Sequence, residues 1–156
     1  MTEVRIRRAT EADIPGLVES SVGLFAEDAG TRDPTLSQLW PREHGPDSFR
    51  QSLDDPERLV LVVDDGDSVV GHLTAALAGP TDIRPIRVAT LGSMYVFPEH
   101  RSLGVGTRLV AEFRQWARDA GADRIAVTAY TDNDSAIKFY VRQGFRSQSL
   151  KLEDKA

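Results

Sequence analysis

The sequence contains no cysteine, so disulfides, thiolate–metal sites and a cysteine nucleophile are all excluded. It has no apolar run long enough to span a bilayer, and its opening residues show no signal-peptide h-region. The expectation is therefore a cytoplasmic protein without a membrane partner. Positive charge is also in short supply. Nineteen Lys and Arg stand against 24 Asp and Glu, for a net charge of −5 and a pI near 5.2, which argues against general nucleic-acid binding. Three histidines, His44, His72 and His100, are too scattered in sequence to suggest a metal site or a triad. His72, inside a strand-like run, reads as structural. No Gly-Lys-Ser/Thr triplet exists, so a Walker phosphate loop is absent.

What remains is a chain of 156 residues, 40% hydrophobic and 28% charged, which suits one domain over residues 1–156. Its most informative stretch is 89–121. Ala89 to Phe97 reads as a strand that Pro98 stops, because proline has no N–H to give to a neighbouring strand. Arg101, Ser102, Leu103, Gly104, Val105, Gly106 and Thr107 then lead into a helix, with Val105, Leu109, Phe113, Trp116 and Ala120 spaced three or four apart and Gly121 placed to end it. A strand, a glycine-bearing turn and a helix N-terminus make an anion site. The first helical N–H groups lack partners, the helix dipole is positive there, and glycine lets a phosphate approach. Arg101 adds a fork of donors suited to phosphate oxygens. The competing reading is an ordinary strand-to-helix turn with a solubilising arginine. A dinucleotide fingerprint is ruled out, since Leu109 stands where it needs Gly or Ala.

Around this stretch, Val4 to Ala9 alternates like a strand, and Thr10 with Asp13 signals a helix start. That helix runs to about Ala29-Gly30, with Pro15 either breaking its first turn or marking its true beginning. Residues 31–47 read as a long connection anchored by Trp40, and 48–54 as a short helix. Leu59 to Val63 is a buried strand, paired as a hairpin with 68–78. Arg124 to Tyr130 reads as a strand, Thr131 to Asp134 as a polar capping turn, Ser135 to Gln143 as a helix closed by Gly144, and Phe145 to Leu152 as a last strand.

Three features fall in order: strand–Pro98–Arg101-x-x-Gly104-x-Gly106–helix, then strand–Asn133, then Ala136-x-x-Phe139-Tyr140-x-x-x-Gly144-Phe145. Together they resemble the GNAT superfamily of acyl-CoA-dependent N-acetyltransferases. The opening segment Ile6 to Ile14 also looks like that family's first strand and helix, so the resemblance covers nearly the whole chain. It implies an α/β (α+β) fold with a mixed, mostly antiparallel central sheet whose central strands splay apart, flanked by helices.

The resemblance also implies roles. Met94, Tyr95 and Val96 would pair with the pantetheine amides of acetyl-CoA across a bulged strand. The pyrophosphate would lie on the N–H groups from Ser102 to Thr107, beside Arg101, with Asn133 as a further cofactor-side contact. Tyr140 would protonate the departing thiolate. The expected reaction is direct transfer of acetyl to a primary amine of a small molecule through a ternary complex. Relatives often carry a carboxylate on the strand just before Met94, but Thr90, Leu91, Gly92 and Ser93 supply none. Glu27 and Asp28, at the end of the first helix, are the nearest substitutes, and they read equally as solvated helix-end charges. The acceptor's identity stays open, and dimers are common among such proteins. A non-catalytic acyl-CoA-binding or sensor module on the same fold is the alternative.

Overall fold

The computed structural model describes residues 3–156. Five strands form one sheet in sequence order: β1 (Arg5–Arg8), β2 (Arg58–Asp64), β3 (Val69–Ala78), β4 (Val88–Val96) and β5 (Arg124–Val127). The first four are antiparallel and β5 joins β4 in parallel, as the mixed, mostly antiparallel expectation requires. Helices α1 (Ile14–Thr31), α2 (Trp40–Leu53), α3 (Val105–Asp119) and α4 (Asp134–Arg142) complete the fold.

Both faces of the sheet are covered, which is why Leu59 to Val63 is apolar at every position. Leu59, Leu61 and Val63 point to the face carrying α3, where Leu109, Val110 and Phe113 are buried. Val60 and Val62 point the other way, onto Ile14, Leu17, Val18 and Phe49 of α1 and α2. Phe113 has no exposed surface and lies at the centre of the larger core. Phe113→Ala is expected to cost about 3–5 kcal/mol, read as a lower urea midpoint at unchanged slope.

The chain enters α1 through a 3₁₀ turn at Glu11–Asp13, with Pro15 in the first turn of the α-helix. Asp13 accepts the Thr10 N–H at 2.8 Å and both terminal nitrogens of Arg7 at 2.7 and 2.9 Å, and Arg7 also reaches Asp64 at 3.0 Å. The Arg7 hydrogen bonds, chiefly, hold the Asp13 carboxyl below its ordinary range. A depressed carboxyl stabilises the folded chain above its unfolded pKa, and that contribution disappears as the pH falls through the folded value.

Three expectations need correction. Residues 31–47 are not a loop throughout, because α2 already starts at Trp40 and absorbs 48–53. Its buried positions are Pro41, Gly45 and Phe49, so its face is spaced four apart but carries only one obvious apolar marker. Two prolines hid it further. Pro41 sits harmlessly in the first turn, whereas Pro46 forgoes its bond to the Arg42 carbonyl inside the helix. Trp40 is an anchor nonetheless, stacked on Phe25 of α1 at 5.7 Å.

The strand expected to reach Tyr130 ends at Val127, and 145–152 forms no strand. Phe145 still packs against the larger core, but Leu150 and Leu152 are 65% and 84% exposed, so beyond Phe145 the segment lays no apolar face against the sheet. It follows the edge of the cleft described next. No helix among the described residues is long and apolar enough to cross a membrane.

Candidate active site

The site begins with a defect in β4. Thr74 pairs with Ser93 but the next residue, Ala75, pairs with Leu91, so Gly92 is the extra residue of a β-bulge. The β4–β5 pairing stops at the same level, at Leu91–Val127, while β4 stays bonded to β3 as far as Val96. The two strands therefore part, and among the described residues the β4 edge from Gly92 to Val96 has no strand neighbour on the β5 side. A cleft of about 2630 Å³ opens there. That is several times a typical small-ligand pocket, enough for a long ligand and a second molecule.

The cleft brings together most of the residues singled out from the sequence. Met94, Tyr95 and Val96 line it from β4, and Arg101, Ser102, Gly104, Val105, Gly106 and Thr107 from the turn and α3. Asn133 and Tyr140 line it from α4, and Glu27 and Asp28 from α1. Leu103 does not, and its side chain is 49% exposed at the outside of the turn.

The turn is wound to expose backbone donors. Ser102 and Gly104 have φ of 63° and 78°, and Gly104 caps α3 in the left-handed conformation that glycine adopts without penalty. The first bond of α3 runs from the Arg108 N–H to the Gly104 carbonyl at 3.1 Å. The N–H groups from Ser102 to Thr107 find no protein partner among the described residues. Six consecutive unpaired donors at a helix N-terminus are the backbone arrangement to which anions bind in proteins generally.

Arg101 is turned differently from the sequence expectation. Its Nε donates to the Val96 carbonyl at 2.7 Å, one terminal nitrogen donates to Glu27 at 2.7 Å, and the guanidinium lies 5.1 Å from the centre of the Tyr95 ring. The fork thus spans from β4 to α1 instead of pointing along the turn. Glu27 is correspondingly ion-paired, so it is no freely solvated helix-end charge. Asp28 bonds Arg32 at 3.1 Å, and partial burial pushes its carboxyl up despite that partner.

On the opposite wall, the Asn133 side-chain oxygen accepts the Ala136 N–H at 3.3 Å and so caps α4, and its amide nitrogen has no partner among the described residues. Helix α4 is tied to α3 by Arg114, which donates to the Gln143 carbonyl at 2.7 Å, and by Gln143, which donates to the Thr107 hydroxyl at 3.1 Å. The Tyr140 ring meets Phe139 and Phe145 edge-on at 5.2 and 5.7 Å. Its hydroxyl bonds no described residue and is not sealed from the cleft. Burial pushes the phenol up to about 12, so it keeps its proton throughout the physiological range.

One group of residues escaped the sequence reading. His72, 1% exposed in β3, is held on one side by Ser20 of α1 at 2.5 Å and on the other by Ser93 of β4 at 3.1 Å. Ser93 also meets Thr74 at 2.6 Å and lines the cleft one residue past the bulge. The only hint in the sequence was a histidine inside an apolar strand.

Among known proteins, an uncharacterized N-acetyltransferase of Bacillus subtilis is 33% identical over 55 residues, which is 35% of this chain. The matched part is 22% of that relative, so the chain spans only about a fifth of its length. An acetyltransferase of Trypanosoma brucei superposes with a TM-score of 0.71 at 18% identity, covering 99% of this chain and 100% of the other. An aminoglycoside acetyltransferase from an uncultured soil metagenomic sample superposes with a TM-score of 0.76, also at 18% identity and covering 99% of each chain. The model of the acetyltransferase (GNAT) family matches residues 27–145, from the end of α1 to the residue after Gly144. The forked sheet, the turn of free amides and the match along three quarters of the sequence agree: the chain belongs to the GNAT acetyltransferase family.

Proposed function

We propose that the chain moves the acetyl group of acetyl-CoA directly to a primary amine of a small molecule, with both substrates bound in the cleft at once. The observation that carries this reading is the joint placement, along one cleft, of the turn that carries the six free amides, the open β4 edge and the Tyr140 hydroxyl, which bonds no described residue. The amides from Ser102 to Thr107 suit a pyrophosphate, and the edge from Met94 to Val96 offers donors and acceptors to an amide-bearing arm. The free Asn133 amide nitrogen can donate to the same arm. Pairing at the Val96 carbonyl requires Arg101 to let go of it, which also places the guanidinium within reach of the phosphates.

The chemistry is addition and collapse. The amine lone pair attacks the thioester carbonyl, an N–H of the bulged strand steadies the oxyanion, and the carbon–sulfur bond breaks. Tyr140 donates a proton to the sulfur. No acetyl-enzyme is formed. The acceptor enters on the side where α1 brings Glu27 and Asp28 to the wall.

The amine must arrive without its proton. An alkyl amine of pKa about 10.4 is only about one part in 2500 neutral at pH 7, whereas an α-amine near 7.8 is over about a tenth neutral. An amine of lowered pKa is therefore the better acceptor. The test is thiol release from acetyl-CoA with glycinamide, glucosamine, putrescine and a lysine-containing peptide, at several pH values. Glu27→Gln and Asp28→Asn are run beside the parent. The acid limb of kcat/KM is expected to follow each amine's own pKa in all three proteins. A limb fixed near pH 6–7 that vanishes in one variant would identify that carboxylate as an enzyme base. Acetyl-CoA binding without turnover of any amine would instead favour a non-catalytic binding module.

A further inference from the structure

We infer that Ser93, backed by His72, is the proton acceptor for the amine nitrogen: a hydroxyl at the bulge relays the proton into a buried imidazole. The inference rests on the acetyl transfer proposed above and names a catalytic contact and a positioning residue for it. Three observations support it. Ser93 stands beside the place where β4 and β5 part and lines the cleft there, next to the proposed point of attack. Residues 90–93 hold no carboxylate, and of their two hydroxyl residues, Thr90 and Ser93, Ser93 is the one that lines the cleft. And Ser93 is the cleft-lining member of a continuous hydrogen-bonded chain, Thr74–Ser93–His72–Ser20. An apolar residue would fill the His72 position between α1, α2 and β2 more cheaply than a buried imidazole.

The relay requires one tautomer, which sets the direction of every bond in the chain. If the His72 Nδ1–H donates to Ser20, then Nε2 carries the lone pair and accepts from the Ser93 hydroxyl. Ser93 oxygen in turn accepts from Thr74 and keeps a lone pair for the amine. The ring is edge-on to Phe49, with Val62 and Tyr95 at its register positions. Tyr95 is the titratable residue among these register partners. Burial lowers the imidazole pKa to about 4, so His72 is neutral and its lone pair is free wherever the amine is deprotonated. Such a base cannot strip a free ammonium. It can take a proton from a nitrogen made acidic by bonding to the acyl carbon.

The step balances. Nitrogen forms its bond to the carbonyl carbon, and the surplus N–H proton passes to Ser93 as the Ser93 proton passes to His72 Nε2. The carbon–sulfur pair leaves on sulfur, which takes a proton from Tyr140. When the amide departs, the imidazolium returns its proton through Ser93 to water in the cleft, and the phenolate is reprotonated from the same water.

Two measurements test this. In the full chain labelled with ¹⁵N-histidine, the His72 Nε2 resonance at pH 7 should be that of an unprotonated nitrogen, with the proton on Nδ1. In kinetics with the panel amine that the parent turns over fastest, Ser93→Ala should lower kcat about 100-fold at unchanged acetyl-CoA KM, with Ser93→Thr recovering most of the loss. His72→Gln, which keeps hydrogen bonding without basicity, should match Ser93→Ala. A proton on Nε2, parental kcat in Ser93→Ala, or equal losses in Ser93→Ala and Ser93→Thr would each overturn the relay. A parent that binds acetyl-CoA but acetylates no amine overturns the proposed function itself, and the relay with it.

Discussion

Replacing Tyr140 by Phe should lower kcat by about 10- to 1000-fold while leaving acetyl-CoA affinity unchanged. The ring stays in place without its hydroxyl, because the edge-on contacts with Phe139 and Phe145 hold it and the hydroxyl makes no structural bond. A simple folding effect is thereby excluded in advance. The sign of the pH effect also follows. The phenol is pushed up to about 12, so it is a donor at every working pH, and no alkaline limb below that value should belong to it. Against a thiol of pKa about 8.5, full transfer from such a phenol is uphill by several kcal/mol in water-like terms. The expected gain therefore comes chiefly from the charge-assisted hydrogen bond that strengthens as sulfur takes up charge ahead of the proton's transfer, worth about 1.5–3 kcal/mol or about 10- to 150-fold, with any desolvation of the thiolate adding to it. Parental kcat in this variant would mean that water protonates the sulfur and that Tyr140 only packs.

The second large effect is expected at the turn. Gly104→Ala should weaken acetyl-CoA about 10-fold, and Gly106→Val by about 100-fold or more, by calorimetry. At Gly104 an added Cβ meets nothing within 4 Å, so the penalty is the positive φ of 78°, roughly 1–2 kcal/mol, which the turn relieves by abandoning the conformation that gathers its amides. At Gly106 an added Cβ comes within 3.2 Å of the Phe139 ring, and valine adds two branches beside free N–H groups. Phe139 must then give way, so Gly106→Val is also expected to disturb Tyr140 and reduce kcat, whereas Gly104→Ala should not. In the parent, acetyl-CoA at about 100 times its Kd should add about 2.7 kcal/mol of stability, and correspondingly less in each variant. Affinity unchanged within error in both variants would remove the pyrophosphate from this turn.

The parts of the fold legible from the sequence were those in which one physical signal dominates. Leu59 to Val63 is apolar at every position because both faces of β2 are covered. Gly104, Gly121 and Gly144 stand where the chain takes positive φ at helix ends. What escaped was set by partners distant along the chain. Helix α2 presents Pro41 and Gly45 inward, so its face has the right spacing but the wrong residue types for a periodicity argument. The segment after Gly144 alternates weakly, but alternation makes a strand only where an edge and an apolar surface are offered, and the edge of β5 borders the cleft. At the site, the motif residues could be placed on their elements, yet the posture of Arg101 could not. It depends on the Val96 carbonyl five residues back and on Glu27, 74 residues away. The His72–Ser93 contact joins two strands whose register is shifted by the bulge at Gly92, and no local pattern encodes it.

The most direct test of direct transfer is a single turnover with enzyme in excess over acetyl-CoA labelled in the acetyl group, in the presence of a panel amine, quenched over time and followed by mass spectrometry. Acetylated amine and free CoA should appear together at the same rate, with no acetyl group on the protein at any time. An acetylated protein that forms and decays ahead of the amide, or label released only as acetate, would contradict the account.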